Sequence, residues 1–337
     1  MTERSEDMNA EAPAGGMGGL RIPEVAGGAR ILAFGDYQPA RVVTNDEIAQ
    51  KVDTDDAWIR SRVGIAERRI AGPEEGIVEM AVQAGGKALA GSGLAPEDID
   101  LVIVATCSAE SPMPSHAGIV AHRLGIGAPG AFDLNAACAG FCYALGTASS
   151  AIRGGSARNV LVIGAEKMSQ WIDWTDRSTC IIFADGAGAA VVTASDSPGI
   201  GPVVWGSNGE LADKIVIEDR NSFIRQEGQS VFRWATSAIA PVALEACERA
   251  GVAPADLAAV VPHQANLRII DAIARRIKAP NAVVADDIVR SGNTSGASIP
   301  LALSRMIERG DVPSGAPALL IGFGAGLAYA AQVIQIP

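Results

Sequence analysis

Cys138 stands in DLNAACAGFCYAL, where a strand-like run gives way to a helix-like one and every near neighbour is small. At the first turn of a helix, unpaired N–H groups and the helix dipole favour a thiolate and lower the thiol pKa from about 8.5. The same N–H groups can hold an oxyanion, and Ala136, Ala137, Ala139 and Gly140 let a substrate come close. A packed structural cysteine is the competing reading. His263 closes the apolar run AAVVPHQAN, and strand ends in α/β sheets are where ligands bind; Gln264 and Asn266 add amides beside it. A satisfied core histidine remains the alternative. Asn293, in SGNTSGASIPLAL, is either a helix-capping residue or a polar group of the same site. GFGAGLAYA (322–330) lacks the Lys-Ser/Thr pair of a phosphate loop and suits a backbone turn approaching a reacting carbonyl. No His/Cys spacing points to a metal. Cys107, Cys142, Cys180 and Cys247 lie in apolar or helical runs and read as structural.

The elements that must carry these residues occur twice. KALAGSGLAPEDIDLVIV (87–104) parallels LEACERAGVAPADLAAVVP (244–262), with Gly93-Leu94-Ala95-Pro96 matching Gly251-Val252-Ala253-Pro254 at an offset of 158 residues. Seventeen residues separate Cys138 from Gly155, and seventeen separate Asn293 from Gly310. Helix, G-x-A-P turn and buried strand recur in order, as an internal duplication requires; chance likeness of alanine-rich helices is the alternative. The duplication predicts a pseudo-twofold molecule with Cys138 and Asn293 in equivalent, facing positions. Strands are expected at 99–108, 158–166 and 186–194, helices at 78–93 and 240–251, and two strands around a glycine turn within 318–334.

The 337 residues are 48% hydrophobic and 19% charged, as expected of a globular α/β chain with a large core. A formal charge of −11 argues against nucleic acid or an anionic membrane as a general partner. Five cysteines without a C-x-x-C pair, and an acidic, polar start without a secretory pattern, point to the cytoplasm. Residues 1–28 read as a disordered tail, 29–199 as the half with the cysteine, and 200–337 as the half with His263 and Asn293.

Taken together, AACAGFCYAL, WTDRSTCIIFADGAGAAVV (174–192), VPHQANLRIID (261–271), SGNTSGASIPLAL, GFGAGLAYA and the early VDTDDAWIRSRVGIAERRI (52–70) resemble the β-ketoacyl-acyl-carrier-protein synthase III family. The resemblance covers residues 29–337. It implies the thiolase-like fold, two βαβαβαββ halves in five α-β-α-β-α layers. It implies a cytoplasmic homodimeric acyltransferase that joins an acyl-CoA primer to malonyl-acyl-carrier-protein, with no cofactor and no metal. The implied triad is Cys138, His263 and Asn293, with an oxyanion hole at the N–H groups of Cys138 and Ala325. Thr54, Trp58, Arg62, Arg177 and Asn266 match CoA-binding positions, with Trp58 and Arg177 sandwiching the adenine. Met113, Phe232 and Phe323 match the acyl and pantetheine path, and Met113 stands where many members place an aromatic residue at the dimer interface.

Acyl carrier protein is the implied partner, docking on a local positive patch of Arg233, Gln264, Arg268, Arg275 and Arg276. Arg268 and Arg275 share one helical face; a solvated helix face is the plain alternative. Ala325 stands where glycine is common and Gly296 where alanine is common, and the stretch 207–228 reads as shorter than in some relatives. A priming ketosynthase of a polyketide pathway is the second reading. A thiolase would need a further cysteine in the GFGAG turn, a non-catalytic partner would lack Cys138, and a cysteine hydrolase would need a differently supported histidine.

Overall fold

The computed structural model describes residues 26–337; the expected tail at 1–28 lies outside the described residues except for its last three. Its first half runs β1 (Gly28–Tyr37), α1 (Asp56–Val63), α2 (Ile77–Ser92), β2 (Leu101–Ala105), α3 (His116–Arg123), β3 (Gly130–Leu134), α4 (Gly140–Arg153), β4 (Asn159–Lys167) and β5 (Asp185–Ser195). The second runs β6 (Val204–Ser207), α5 (Gly228–Ala250), β7 (Ala259–Pro262), α6 (Leu267–Ile277), β8 (Val283–Val284), α7 (Ser298–Glu308), β9 (Pro317–Gly324) and β10 (Ala328–Gln335). With α1 set aside as an insertion, both halves read βαβαβαββ. The two five-stranded sheets have the orders β1-β5-β4-β2-β3 and β6-β10-β9-β7-β8. In each, the last two inter-strand pairings are parallel and the first two antiparallel.

The apolar runs explain the layering. β2 and β4 are buried on both faces, as continuous Val/Ile/Leu strands must be. α4 and α7 lie between the sheets. Their Phe141, Leu145, Leu303 and Met306 share one core with Val160 and Val162 of the first sheet and Val261 and Leu320 of the second. α2 and α3 cover the outer face of the first sheet, and α5 and α6 that of the second. α1 and its flanks build a fourth core with Ile181, Ile270 and Ile288. There the buried Arg68 guanidinium donates to the carbonyls of Val43 and Ile181 and to Asn45 Oδ1, tying the insertion to the sheet ends.

The offset of 158 holds in three dimensions, and it corrects one expectation. Gly93 and Gly251 both end helices in the left-handed region, at φ 74° and 67°. Short 3₁₀ turns at Ala137–Ala139 and Ser295–Ala297 precede α4 and α7, and each opens on a non-glycine residue with positive φ, Ala137 (46°) and Ser295 (47°). Asn135 Oδ1 accepts from Ala137 N at 3.1 Å, and Asn293 Oδ1 from Ser295 N at 2.8 Å. The counterpart of Asn293 is therefore Asn135, and that of Cys138 is Gly296; Cys138 and Asn293 are not equivalent. The matching seventeen-residue intervals arise because α7 is three residues shorter than α4, 11 against 14, which moves the offset to 155 at the helix ends.

Candidate active site

Cys138 occupies the 3₁₀ turn between β3 and α4, and His263 follows the last residue of β7. Asn293 sits where the chain leaves Gly292 for α7, held by backbone bonds from its N–H to Ile182 O and from Ala184 N to its carbonyl. All three line one cavity of about 740 Å³, whose wall also includes Ser295, Phe323, Gly324, Trp58, Arg62 and Arg177. Phe232 lines it too, and the ring of Phe323 meets His263 edge-on at 5.4 Å between centroids.

The turn after β9 presses against the nucleophile. A Cβ on Gly324 would stand 2.7 Å from Cys138 Cβ and 2.9 Å from its Sγ, so only glycine fits. Backbone N–H groups of Cys138 and Ala325 reach the sulfur. Cys138 Sγ lies 3.4 Å from Ser295 Oγ, which lies 3.0 Å from a carboxylate oxygen of the fully buried Glu166.

The expected low thiol pKa meets an opposing effect in the fold. Burial pushes Cys138 up to about 12; the Ser295 hydroxyl opposes this, while the Glu166 charge adds to it. Burial acts on His263 in the other sense and holds its pKa down to about 3, so the imidazole is neutral. Its Nδ1 is 2.7 Å from Ser298 Oγ.

The other expected positions divide. Arg177 lies over the Trp58 indole at 4.7 Å and Arg62 near it at 5.5 Å, while Arg177 also donates to Asp53 O at 2.7 Å. Guanidinium and indole are thus in direct contact. Asn266 caps α6, accepting from Arg268 N at 2.9 Å and donating to Arg62 O at 3.1 Å, so its amide joins α6 to α1. Thr54 is outside the cavity wall, and its buried hydroxyl has no partner among the described residues. Met113 is 80% exposed, away from this cavity.

On the docking face, Arg233, Arg268 and Arg275 are exposed, and Arg268 stacks over Phe232 at 5.3 Å. Arg276 is exposed but donates to the carbonyls of Thr236 and Ser237. Gln264 is only 1% exposed and cannot touch a partner. Its amide donates to Pro262 O and Ala285 O and accepts from Ile288 N, closing the loop behind β7. Cys107, expected to be purely structural, lines the cavity and lies within 3.3 Å of both Glu166 and Ser295.

Residues 132–209 match the family described as 3-oxoacyl-[acyl-carrier-protein] synthase III, and residues 247–336 match its C-terminal counterpart. The chain is 58% identical to β-ketoacyl-[acyl-carrier-protein] synthase III 4 of Streptomyces coelicolor, over 92% of this chain and 99% of the relative. This chain belongs to the 3-oxoacyl-[acyl-carrier-protein] synthase III family. Within the synthase III family it is also 48% identical to the mycobacterial enzyme of Mycobacterium marinum, covering 91% of this chain and 95% of that one. Among solved synthase III-like structures, the priming β-ketosynthase of the R1128 polyketide biosynthetic pathway superposes with TM-score 0.92 at 46% identity, covering 95% and 99%. The Aquifex aeolicus synthase III superposes with TM-score 0.87 at 43% identity, covering 91% and 100%. The fold is accordingly the thiolase fold of these enzymes.

Proposed function

We propose that Cys138 carries the acyl group and that His263 and Asn293 stabilise the enolate in this synthase III, which condenses an acyl-CoA primer with malonyl-acyl-carrier-protein. The observation that carries the assignment is the convergence of the three side chains on one cavity, with the Gly324–Ala325 turn against the sulfur. Cys138 attacks the acyl-CoA thioester, and the N–H groups of Cys138 and Ala325 receive the oxyanion of the tetrahedral intermediate. CoA departs and acyl-Cys138 remains. Malonyl-carrier-protein then loses carbon dioxide, and the electrons of the broken C–C bond pass to its thioester oxygen. His263 is neutral, so Nε2 carries the proton when Nδ1 accepts from Ser298. Asn293 Oδ1 is held by Ser295 N, which leaves its NH₂ to donate. These two donors face the enolate, whose carbon attacks acyl-Cys138 and displaces its sulfur.

The long wall between Trp58, Arg177 and Phe232 accommodates CoA and pantetheine, and adenine enters by displacing Arg177 from the indole onto the other face of the base. Arg268, with Arg233 and Arg275 nearby, receives the acidic carrier protein. Exposed Met113 is the residue offered to a second copy of the chain in a homodimer. Among the described residues no helix is long and apolar enough to cross a membrane, and no cluster of three His, Cys, Asp or Glu side chains is placed to hold a metal. We place the enzyme in the cytoplasm, working without a cofactor. The likeness to the R1128 priming enzyme supports a second reading, in which the same chemistry starts a polyketide chain.

Mass spectrometry of the protein after mixing with acetyl-, isobutyryl- or butyryl-CoA should find one acyl group on the peptide holding Cys138. Adding malonyl-carrier-protein should then release 3-oxoacyl-carrier-protein. Hydrolysis to free acid without condensation would sink the reading.

A further inference from the structure

His263 and Asn293 reach the cavity from different segments, and one short stretch of chain supports both from behind. The single helical turn Ile288–Ser291 begins at Ile288, whose N–H donates at 3.0 Å to Oε1 of Gln264, the residue after His263. It ends at Gly292, which leads directly into Asn293. Gly292 has φ of 70°, and a Cβ there would stand 2.8 Å from Ala184 Cβ and 2.9 Å from Arg68 Cβ. Only glycine passes so close in that conformation. Beyond it, Asn293 N donates to Ile182 O and Ala184 N donates to Asn293 O, each at 2.9 Å. A shift of the 288–291 turn is therefore passed on at both ends, toward His263 and toward Asn293.

Arg305 holds that turn. It projects from α7 seven residues after Ser298, the residue 2.7 Å from His263 Nδ1, so the two share one helix face. Its Nη1 donates to Asp287 Oδ1 at 3.2 Å and to Ser291 Oγ at 3.0 Å, the residues that open and close the turn. The Ser291 hydroxyl donates in its turn to Asp287 Oδ2, which closes a ring of three side chains. The rest of the guanidinium is anchored in the first half of the molecule. Nη2 donates to Gln38 Oε1 at 2.7 Å and Nε to Asp36 Oδ2 at 3.3 Å. Asp36 also accepts from Lys87 Nζ at 2.6 Å and Ser304 Oγ at 2.9 Å, so β1, α2 and α7 all fix the arginine. The Asp287 carboxylate is only 7% exposed, and Arg305 is its one ion-pair partner among the described residues. Without the arginine, a buried charge would stand uncompensated beside the turn.

We propose that Arg305 is a positioning residue for the condensation step, holding the 287–291 turn so that His263 and Asn293 present their donors to the enolate together. The inference rests on the functional reading above. Its contacts do not extend to the acylation machinery: Cys138 stands on the 3₁₀ turn before α4, and Ala325 on the turn after β9. The two half-reactions should therefore respond differently to its loss. A lysine could keep the charge beside Asp287, but a single ammonium cannot reproduce a planar fork that spans Asp287, Ser291 and Gln38 at once.

The test separates the half-reactions in Arg305→Met and Arg305→Lys. Acylation of Cys138 by acetyl-CoA is read by mass spectrometry, and condensation by release of 3-oxoacyl-carrier-protein when malonyl-carrier-protein meets the acylated enzyme. In Arg305→Met, kcat for condensation should fall by about 100-fold, the loss expected when reacting groups are misplaced by about an ångström. KM for malonyl-carrier-protein and the acylation rate should stay near wild type, the signature of an interaction lost only in the transition state of condensation. Arg305→Lys should recover part of this and lose about 10-fold, the lower end of what a supporting contact contributes. It decides the matter alone should Arg305→Met fail to fold. Condensation at the wild-type rate in either folded variant, or an equal fall in both half-reactions, would overturn the positioning role and leave the synthase reading intact. A wild-type chain that acylates Cys138 but never condenses would remove the reading on which it rests.

Discussion

Ser298 Oγ stands 2.7 Å from Nδ1 of His263 and 3.2 Å from the backbone nitrogen of Gln264. The Gln264 N–H can only donate, so it takes one lone pair of the hydroxyl, and the hydroxyl proton is free to go to Nδ1. That arrangement selects the tautomer with the proton on Nε2, on the side of the cavity.

Ser298→Ala should therefore release the imidazole to the wrong tautomer. We expect condensation with malonyl-carrier-protein to fall by about 10- to 100-fold while acylation by acyl-CoA changes little, as follows when only the enolate donor is impaired. Separate measurement of the two half-reactions checks this; equal loss in both would count against it.

Burial of neutral His263 sets a sign for stability against pH. Its pKa is depressed to about 3 in the folded chain from an ordinary value of 6.5. Below pH 6.5 the unfolded chain binds a proton that the folded chain refuses, so this group's contribution to stability falls as pH drops from about 6.5 toward 3. Above 6.5 the difference vanishes. Glu166 and Asp185, whose pKa values are raised by burial, act in the opposite sense at their own titration. Thermal unfolding of His263→Gln beside wild type isolates the histidine: the gap in Tm should favour the variant more at pH 4.5 than at pH 7.5. A gap independent of pH would show that the histidine is not held neutral.

Gly324→Ala tests the contact between the β9 turn and the nucleophile. Gly324 is extended at φ 173°, so the cost is steric and not conformational. Relieving contacts of 2.7 and 2.9 Å must displace Cys138 or the turn that supplies the Ala325 N–H. Overpacking of this kind costs about 1–3 kcal/mol of stability, and acylation should drop by at least about 10-fold. Denaturant unfolding and the acylation assay together report it.

Reversing charge at Arg268 addresses the carrier protein. Arg268→Glu should weaken use of malonyl-carrier-protein, most at low salt, and spare acylation by acyl-CoA. A matched loss in the two half-reactions would mean that Arg268 acts by supporting Phe232 in the cavity wall.

The large outline of the molecule was legible in the chain because duplication leaves element order behind. The G-x-A-P turns, the buried strands after them and the glycine turn before the last strand all stand where the pattern puts them. His263 was legible because strand ends are where side chains reach a ligand. Register inside the repeat was harder: three residues lost from α7 shifted the apparent twin of Asn293 from Asn135 to Cys138. Gln264 looks like a surface amide in sequence, yet three backbone partners claim it in the fold. Glu166 gave a signal that could have been used, as an acid inside the apolar run VLVIGAEK. Ser295 gave almost none, because its contacts depend on a backbone angle and on partners 129 and 157 residues away in sequence.

The two 3₁₀ turns are built alike, but they differ at the middle residue: Cys138 in one, Gly296 in the other. A Cβ on Gly296 would stand 3.1 Å from the Glu166 oxygen, so the twin of the nucleophile is blank where the carboxylate needs room. The symmetric frame thus hosts an asymmetric pair of tasks, with one copy of the turn carrying the cargo and the other making space for a buried carboxylate. Labelling should accordingly saturate at a single acyl group per polypeptide, although the architecture offers that seat twice.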